Sequence, residues 1–186
     1  DFAARGLPVH APFGFERIAE DPDGSERPVA FDLTFTGDAR IREAAFFTCR
    51  HRHPENFWRA DYQNHANGAT RLASAVLVAR DPADFHEFFY HFTGQHEMRS
   101  DTLGVTLDTG AGLVELLTPV AVRGLYGVEA ERDPKPHFCA IRIAVGDLDQ
   151  TRFILAGEGV DFEERAGRVI VPAGAACGVA MAFAED

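Results

Sequence analysis

His51 and His53 stand two residues apart in the stretch 46–68, FFTCRHRHPENFWRADYQNHANG, which also carries Arg50, Arg52, Glu55, Trp58, Tyr62, His65 and Asn67. The alternation from Phe46 to His53 predicts a strand, on which every second side chain shares a face. Phe47, Cys49, His51 and His53 then look one way, and Phe46, Thr48, Arg50 and Arg52 the other. Imidazoles whose origins lie about 6 to 7 Å apart on a strand converge on one ion or one substrate. The plainer reading is an edge strand whose polar side faces water. Arg50 offers a different chemistry: if the even-numbered face is the inner one, its guanidinium fork grips a carboxylate or phosphate. Only one of Arg50 and His51 points inward from a regular strand.

Beyond Pro54, which ends the ladder because proline has no N–H to donate, residues 55–68 have no periodicity, and Asn67-Gly68 marks a turn. This segment reads as a long crossing loop. Trp58 either walls a pocket or plugs a seam. His65 and Asn67 are candidates for hydrogen-bonding a ligand, although an Asn before Gly also suits a plain turn.

Glu115 is the other residue that could do chemistry. It lies among apolar neighbours in Leu113-Val114-Glu115-Leu116-Leu117, and a buried carboxylate must be paired, protonated or metal-bound. A buried arginine such as Arg142 would serve as its ion-pair partner. His86 and His91 ride on a helix away from its phenylalanine stripe, and His137 lies just outside a strand, which makes all three weaker candidates.

The elements that must position these residues recur. After a turn at Asp21-Pro22-Asp23-Gly24, an alternating strand, Pro28 to Thr36, puts Val29, Phe31, Leu33 and Phe35 on one face. An apolar strand, Leu72 to Ala79, leads through Asp81, a candidate N-cap with Pro82 in the first turn, into a helix. Its Phe85, Phe88, Phe89 and Phe92 form one buried stripe, and Gly94 ends it. Strands follow near Gln95 to Ser100, Gly104 to Asp108 and Leu113 to Thr118. The pattern returns with Phe138 to Val145, a cap at Asp147 or Asp149, a helix through Phe153 and Leu155 to Gly157, and strands at Asp161 to Glu164, Arg168 to Val171 and Gly178 to Phe183. Ala79-Arg80-Asp81 and Val145-Gly146-Asp147 correspond at an offset of about 66 residues, the mark of an internal repeat. Asp1 to Gly6 reads as a helix tail stopped by Gly6, and Phe2, Gly6 and Val9 share the spacing of Phe153, Gly157 and Val160. Two whole βαβββ units and the tail of another are therefore expected, together with something upstream of Asp1.

Composition narrows the function. The chain of 186 residues is 46% hydrophobic with net charge −11, an ordinary globular balance whose acidity argues against nucleic acid. No apolar run approaches the ~20 residues of a membrane span. An odd number of cysteines, three, suggests reduced thiols and a cytoplasmic setting; Cys139 and Cys177, in apolar runs, read as small core residues. No Gly-rich phosphate loop, paired-cysteine zinc motif or serine elbow is present.

The tandem βαβββ pattern, with helices opening D-P-A-D at Asp81 and D-L-D at Asp147 and with V-E-L-L at 114–117 in a last strand, resembles the vicinal oxygen chelate superfamily. FFTCRHRHPENFW followed by HANGA is similar to its glyoxalase-like subgroup. The resemblance implies an α+β fold of tandem βαβββ modules pairing into a curled mixed-sheet cup, as in glyoxalases, bleomycin-resistance proteins and dihydroxybiphenyl dioxygenases. Residues 1–68 would hold the C-terminal part of a truncated module plus the crossing loop, and 69–186 a pair of modules, 69–120 and 136–186. It further implies a divalent metal (Zn, Mn, Fe or Ni) and a lyase, isomerase or dioxygenase activity on a small polar or anionic molecule. The alternatives are a sequestering protein of the bleomycin-resistance type and a degenerate scaffold. A homodimer is the implied assembly. Glu115 matches the superfamily's glutamate, as ligand or catalytic base; Ser74 and Ala140 stand at its histidine positions, Ala182 at the second glutamate position, and Arg50 about where the truncated unit would place its own. Three arrangements stay open: units upstream supply a complete metal site, His51 and His53 with Glu115 make an altered one, or no metal is bound; Arg50, Trp58, His65 and Asn67 would contact substrate.

Overall fold

A computed structural model describes residues 1–21 and 23–185. Pro22, within the expected turn 21–24, and Asp186, the last residue of the expected second module, lie outside the described residues. The chain divides into two compact units, Asp1–Asp38 with Ala45–Asn64, and Ala39–Ala44 with His65–Asp186.

Unit 1 opens with a 3-10 turn, Ala3–Arg5, which ends at Gly6 in the left-handed conformation. Three antiparallel strands follow, β1 (Phe13–Glu20), β2 (Glu26–Thr36) and β3 (Phe46–His51), paired in that order. The register sets Phe15 opposite Phe31 and Phe31 opposite His51, so Phe15, Phe31 and His51 cross the sheet in one row. The expected alternation of β3 is therefore present.

Unit 2 is one eight-stranded sheet. Its strands are β4 (Ala69–Val78), β5 (Met98–Ser100), β6 (Gly104–Asp108), β7 (Leu113–Leu117), β8 (His137–Val145), β9 (Glu163–Arg165), β10 (Arg168–Val171) and β11 (Ala180–Glu185). The order β5-β6-β7-β4-β8-β11-β10-β9 is a repeat of one motif. In each half a first strand pairs parallel with a last one, β4 with β7 and β8 with β11, and the halves join antiparallel through β4 and β8. The apolar runs sit centrally because both their faces are covered, whereas the sheet ends in the three-residue strands β5 and β9, whose charged residues blunt the edges.

Three helices complete unit 2: α1 (His86–Thr93), α2 (Pro119–Tyr126) and α3 (Leu148–Gly157). Phe85, Phe88 and Phe89 are buried, as their spacing predicts, whereas Phe92, the fourth of the expected stripe, is only half-buried. Asp81 does not cap with its side chain, which receives the Arg80 guanidinium instead; the first turn, Pro82–Phe85, is 3-10, with Asp84 N–H bonded to the Asp81 carbonyl. Asp147 is the cap of α3, its Oδ1 accepting from the N–H groups of Asp149 and Gln150 at 2.8 and 3.3 Å. Cys177 departs from its expected core position. It is exposed, in a turn ahead of β11 with φ +57°, because the strand starts only at Ala180. No helix among the described residues is long and apolar enough to cross a membrane.

Helix α2 has no counterpart in the βαβββ expectation. Thr118 caps it by accepting the Ala121 N–H at 3.2 Å, Pro119 opens it, and Gly127 in the left-handed conformation closes it. Its Ala121, Val122 and Tyr126 pack on Val76, Val78, Leu117, Ala140, Ile170, Ala180 and Ala182, so the helix fills part of one face of the sheet.

Candidate functional site

The strand registers of unit 2 bring its polar core together. Glu115 on β7 lies opposite Val76 on β4, and Val76 opposite Ala140 on β8. One row along, Leu113, Ser74, Arg142 and Ala182 follow one another across β7, β4, β8 and β11. The face that α2 covers thus also carries Glu115, Ser74 and Arg142. Glu115 is 7% exposed and Ser74 is buried.

Glu115 is not alone there. The Tyr126 phenol, delivered by the last turn of α2, donates to the carboxylate at 3.1 Å from Oε1 and 3.0 Å from Oε2. Arg142 Nε stands 3.8 Å from Oε1, the ion pair expected from the burial argument. The Arg168 guanidinium lies 4.7 Å above the Tyr126 ring, and its Nη1 donates to the Leu125 carbonyl. Burial pushes the Tyr126 phenol up to about 12, helped by the Glu115 charge and opposed by Arg168 and the Ser74 hydroxyl. Tyr126 therefore stays protonated, a standing donor, across the physiological range.

Beside this network opens a cavity of about 320 Å³, lined by Arg71, Ala73, Asp108, Gly110, Ala111, Gly112, Leu113 and Arg142. Its rim is the turn between β6 and β7, which is held by its own bonds: Thr109 Oγ1 donates to the Gly112 carbonyl at 2.8 Å, and Asp108 Oδ1 accepts the Gly110 N–H at 2.8 Å. Arg142 belongs to both places, lining the cavity and reaching back to Glu115.

His65 and Asn67 lie in the turn that enters β4, and Asn67 serves that turn. Its Oδ1 accepts the Ala69 N–H at 3.2 Å, and its carbonyl accepts the Thr151 hydroxyl at 2.8 Å. With Gln150 donating to the Ala66 carbonyl, the turn is fastened to the start of α3. His65 is exposed.

In unit 1, His51 is enclosed by rings: Phe31 at 5.4 Å and Phe57 at 4.7 Å edge-on, and Trp58 stacked at 6.1 Å. Its Nδ1 accepts the Trp58 indole N–H at 3.1 Å. Trp58 is 61% exposed, so it forms the outer side of this aromatic group rather than a buried plug. His53 pairs with Glu55 at 3.6 Å. Arg50 is exposed on the opposite face of β3, across from Asp32. Asp32 is held below the usual carboxylate range chiefly by Arg52, which chelates it with Nε and Nη2.

Asp21, read from sequence only as a turn residue, is the polar centre of unit 1. It accepts from Arg27 Nε (2.5 Å), Arg59 Nη1 (2.6 Å), Tyr62 Oη (3.0 Å) and Ser25 Oγ (3.2 Å). Those donors, Arg27 first, hold its carboxyl far below the usual range against the effect of burial. The group ties the β1–β2 turn to the 59–62 segment of the crossing loop.

The donor sets do not fit the divalent metal implied by the resemblance. Among the described residues no three His, Cys, Asp or Glu side chains gather as a metal site. In unit 2 the positions beside Glu115 hold Ser74, Ala140 and Ala182, and both Glu115 oxygens already accept from Tyr126. His51 gives one ring nitrogen to the Trp58 indole, and His53 turns to Glu55.

Neither a family model nor a curated protein matches the chain. Solved structures do. A methylmalonyl-CoA epimerase from Mycobacterium tuberculosis superposes with a TM-score of 0.52 and 16% identity, over 68% of this chain and 95% of that one. A hypothetical protein from Staphylococcus aureus superposes with a TM-score of 0.61 and 7% identity over all of this chain, which spans 60% of that protein's length. At these identities the likeness is one of fold.

Proposed function

We propose that this chain, which has the glyoxalase-like fold of the vicinal oxygen chelate superfamily, binds a small carboxylate-bearing molecule in the open part of the unit 2 cup. The observation that carries the reading is Arg142, which lines a cavity of about 320 Å³ and stands 3.8 Å from the buried Glu115. Arg71 lines the same cavity, and two guanidinium groups suit a planar oxyanion through paired N–H donors. Leu113 and Ala73 supply an apolar wall for a short carbon chain. The volume suits a small metabolite rather than a polymer. The three free cysteines fit a reducing, cytoplasmic compartment.

Isothermal titration with acetate, malonate and inorganic phosphate tests it. Malonate binds, and Arg142→Gln weakens that binding by about tenfold or more, the value of one charge-assisted contact. Equal affinities for Arg142→Gln and the native chain would overturn the assignment.

Glu115 favours a second, catalytic reading. A carboxylate kept from water beside a permanent donor, Tyr126, is suited to moving a proton at a carbon next to a carbonyl, the step shared by isomerases and lyases. Glu115 would take the proton, and the Tyr126 hydroxyl would hold the carboxylate in place. Proton NMR in D₂O reads this directly as loss of the α-proton signal of a bound carboxylate. Turnover unchanged in Glu115→Gln would remove the reading.

A further inference from the structure

One row of residues crosses four strands of unit 2. Asp108 on β6 lies opposite Leu113 on β7, Leu113 opposite Ser74 on β4, and Ser74 opposite Arg142 on β8. Paired residues share a face of the sheet, so all four side chains stand on the face that carries Glu115, with Asp108 and Arg142 at the ends of the row. Three strand spacings of about 4.8 Å put their backbones about 14 Å apart.

A slip in register adds a third charge to this face. Between Leu72 and Ser74 the β4–β8 ladder shifts, so that Ala73 has no partner on β8 and Arg71 lies opposite Ala144. Ala144 is two positions from Arg142 and shares its face. The irregularity therefore turns Arg71 to the side of Ser74 and Arg142, whereas in a regular strand residues 71 and 74 would point to opposite sides.

Arg71, Arg142 and Asp108 all line the one cavity. Asp108 nonetheless forms no ion pair with either guanidinium, nor with any other cation among the described residues. Its carboxyl is held by its own turn, where Oδ1 accepts the Gly110 N–H at 2.8 Å, while Arg142 reaches toward Glu115 on β7. The half-buried Leu113 stands between the two ends of the row. Opposite charges that face one cavity and are kept too far apart to satisfy each other match a ligand that carries both charges itself.

We propose that the ligand of this cavity is an amino carboxylate. Its carboxylate sits on Arg142 and Arg71, its carbon chain crosses Leu113, and its ammonium is held by Asp108. This rests on the carboxylate reading of the same cavity given above and adds the charge at the other end. Asp108 then acts in both directions: it attracts the ammonium and repels a second carboxylate placed there, and so selects against plain dicarboxylates.

Succinate and aspartate, which differ only in the ammonium, are the probes. In isothermal titration at neutral pH, aspartate binds about tenfold or more tighter than succinate, the value of one charge-assisted contact. Asp108→Asn keeps a side-chain oxygen for the Gly110 N–H and removes the charge. In that variant aspartate weakens by about tenfold and succinate binds more tightly, so the preference closes; Arg142→Gln weakens both ligands. Malate, with a neutral hydroxyl where aspartate has its ammonium, follows succinate. Equal affinities for aspartate and succinate in the native chain would overturn the proposal, as would malate binding as tightly as aspartate or Asp108→Asn weakening both ligands alike; in each case Arg142-dependent succinate binding would leave the carboxylate reading standing. Succinate binding that is absent or indifferent to Arg142→Gln would refute the carboxylate reading, and this inference with it.

Discussion

The Tyr126 hydroxyl lies 3.1 and 3.0 Å from the two carboxylate oxygens of Glu115, eleven positions earlier in the chain and inside the same core. Tyr126→Phe keeps the ring under Arg168 but leaves the buried carboxylate without its donor. The expected loss of stability is about 2 kcal/mol, read from urea denaturation. Combining it with Glu115→Leu returns part of that loss, because the acceptor is then also gone.

The same pair sets an alkaline limit. A phenol raised to about 12 in the fold, against an ordinary value near 10, is bound to its proton more tightly in the native than in the unfolded chain. Its contribution is complete below about pH 10 and is lost as pH rises from there toward 12. Denaturation midpoints measured from pH 9 to 12 decline through this window, and Tyr126→Phe flattens the decline.

Asp21 sets the acid limit of unit 1. Its carboxyl is depressed by Arg27, Arg59 and Tyr62, so its contribution is present above its unfolded value, about 4, and disappears as pH falls below that. Trp58 is the chain's single tryptophan and lies in unit 1, which makes its emission the natural monitor. Asp21→Asn unfolds unit 1 more readily at neutral pH and removes the acid-dependent step.

Metal content separates the fold's expected chemistry from what these residues support. Protein purified without chelator carries less than about a tenth of an equivalent of zinc, manganese, iron or nickel, and EDTA leaves its melting temperature unchanged. A stoichiometric ion, lost on Glu115→Ala, would contradict the donor-set argument.

Gly104 opens β6 with φ +152°, and a side chain there would collide with the Leu116 carbonyl oxygen. Gly104→Ala forces β6 away from β7 at Leu116 and Leu117, at an expected cost of about 3 kcal/mol in thermal or urea unfolding.

Much of the architecture was legible in the residues. The Phe85–Phe92 stripe, the alternation of β2 and β3 and the cap at Asp147 are local patterns, and their repetition announced the βαβββ motif. The ion pair of Glu115 with Arg142 followed from the cost of burying a carboxylate among leucines. Other features were not read. Helix α2 carries a Thr-Pro start and a Gly stop, signals present at 118–127, yet only its packing shows that it enters the cup. Tyr126, Arg71 and Asp108 stand out from other polar residues only once β4, β6, β7 and β8 lie side by side. Asp21 looked like a turn because its four side-chain donors come from up to 41 positions away.

By itself, then, the chain determined most of the strand and helix segments and which faces are apolar, because periodicity and capping act over a few residues. The tertiary structure decided which polar groups meet. Glu115 received a phenol and a guanidinium rather than imidazoles, and His51 received an indole, because strand register and the course of α2 place groups from distant segments within hydrogen-bonding range, and no local spacing encodes that.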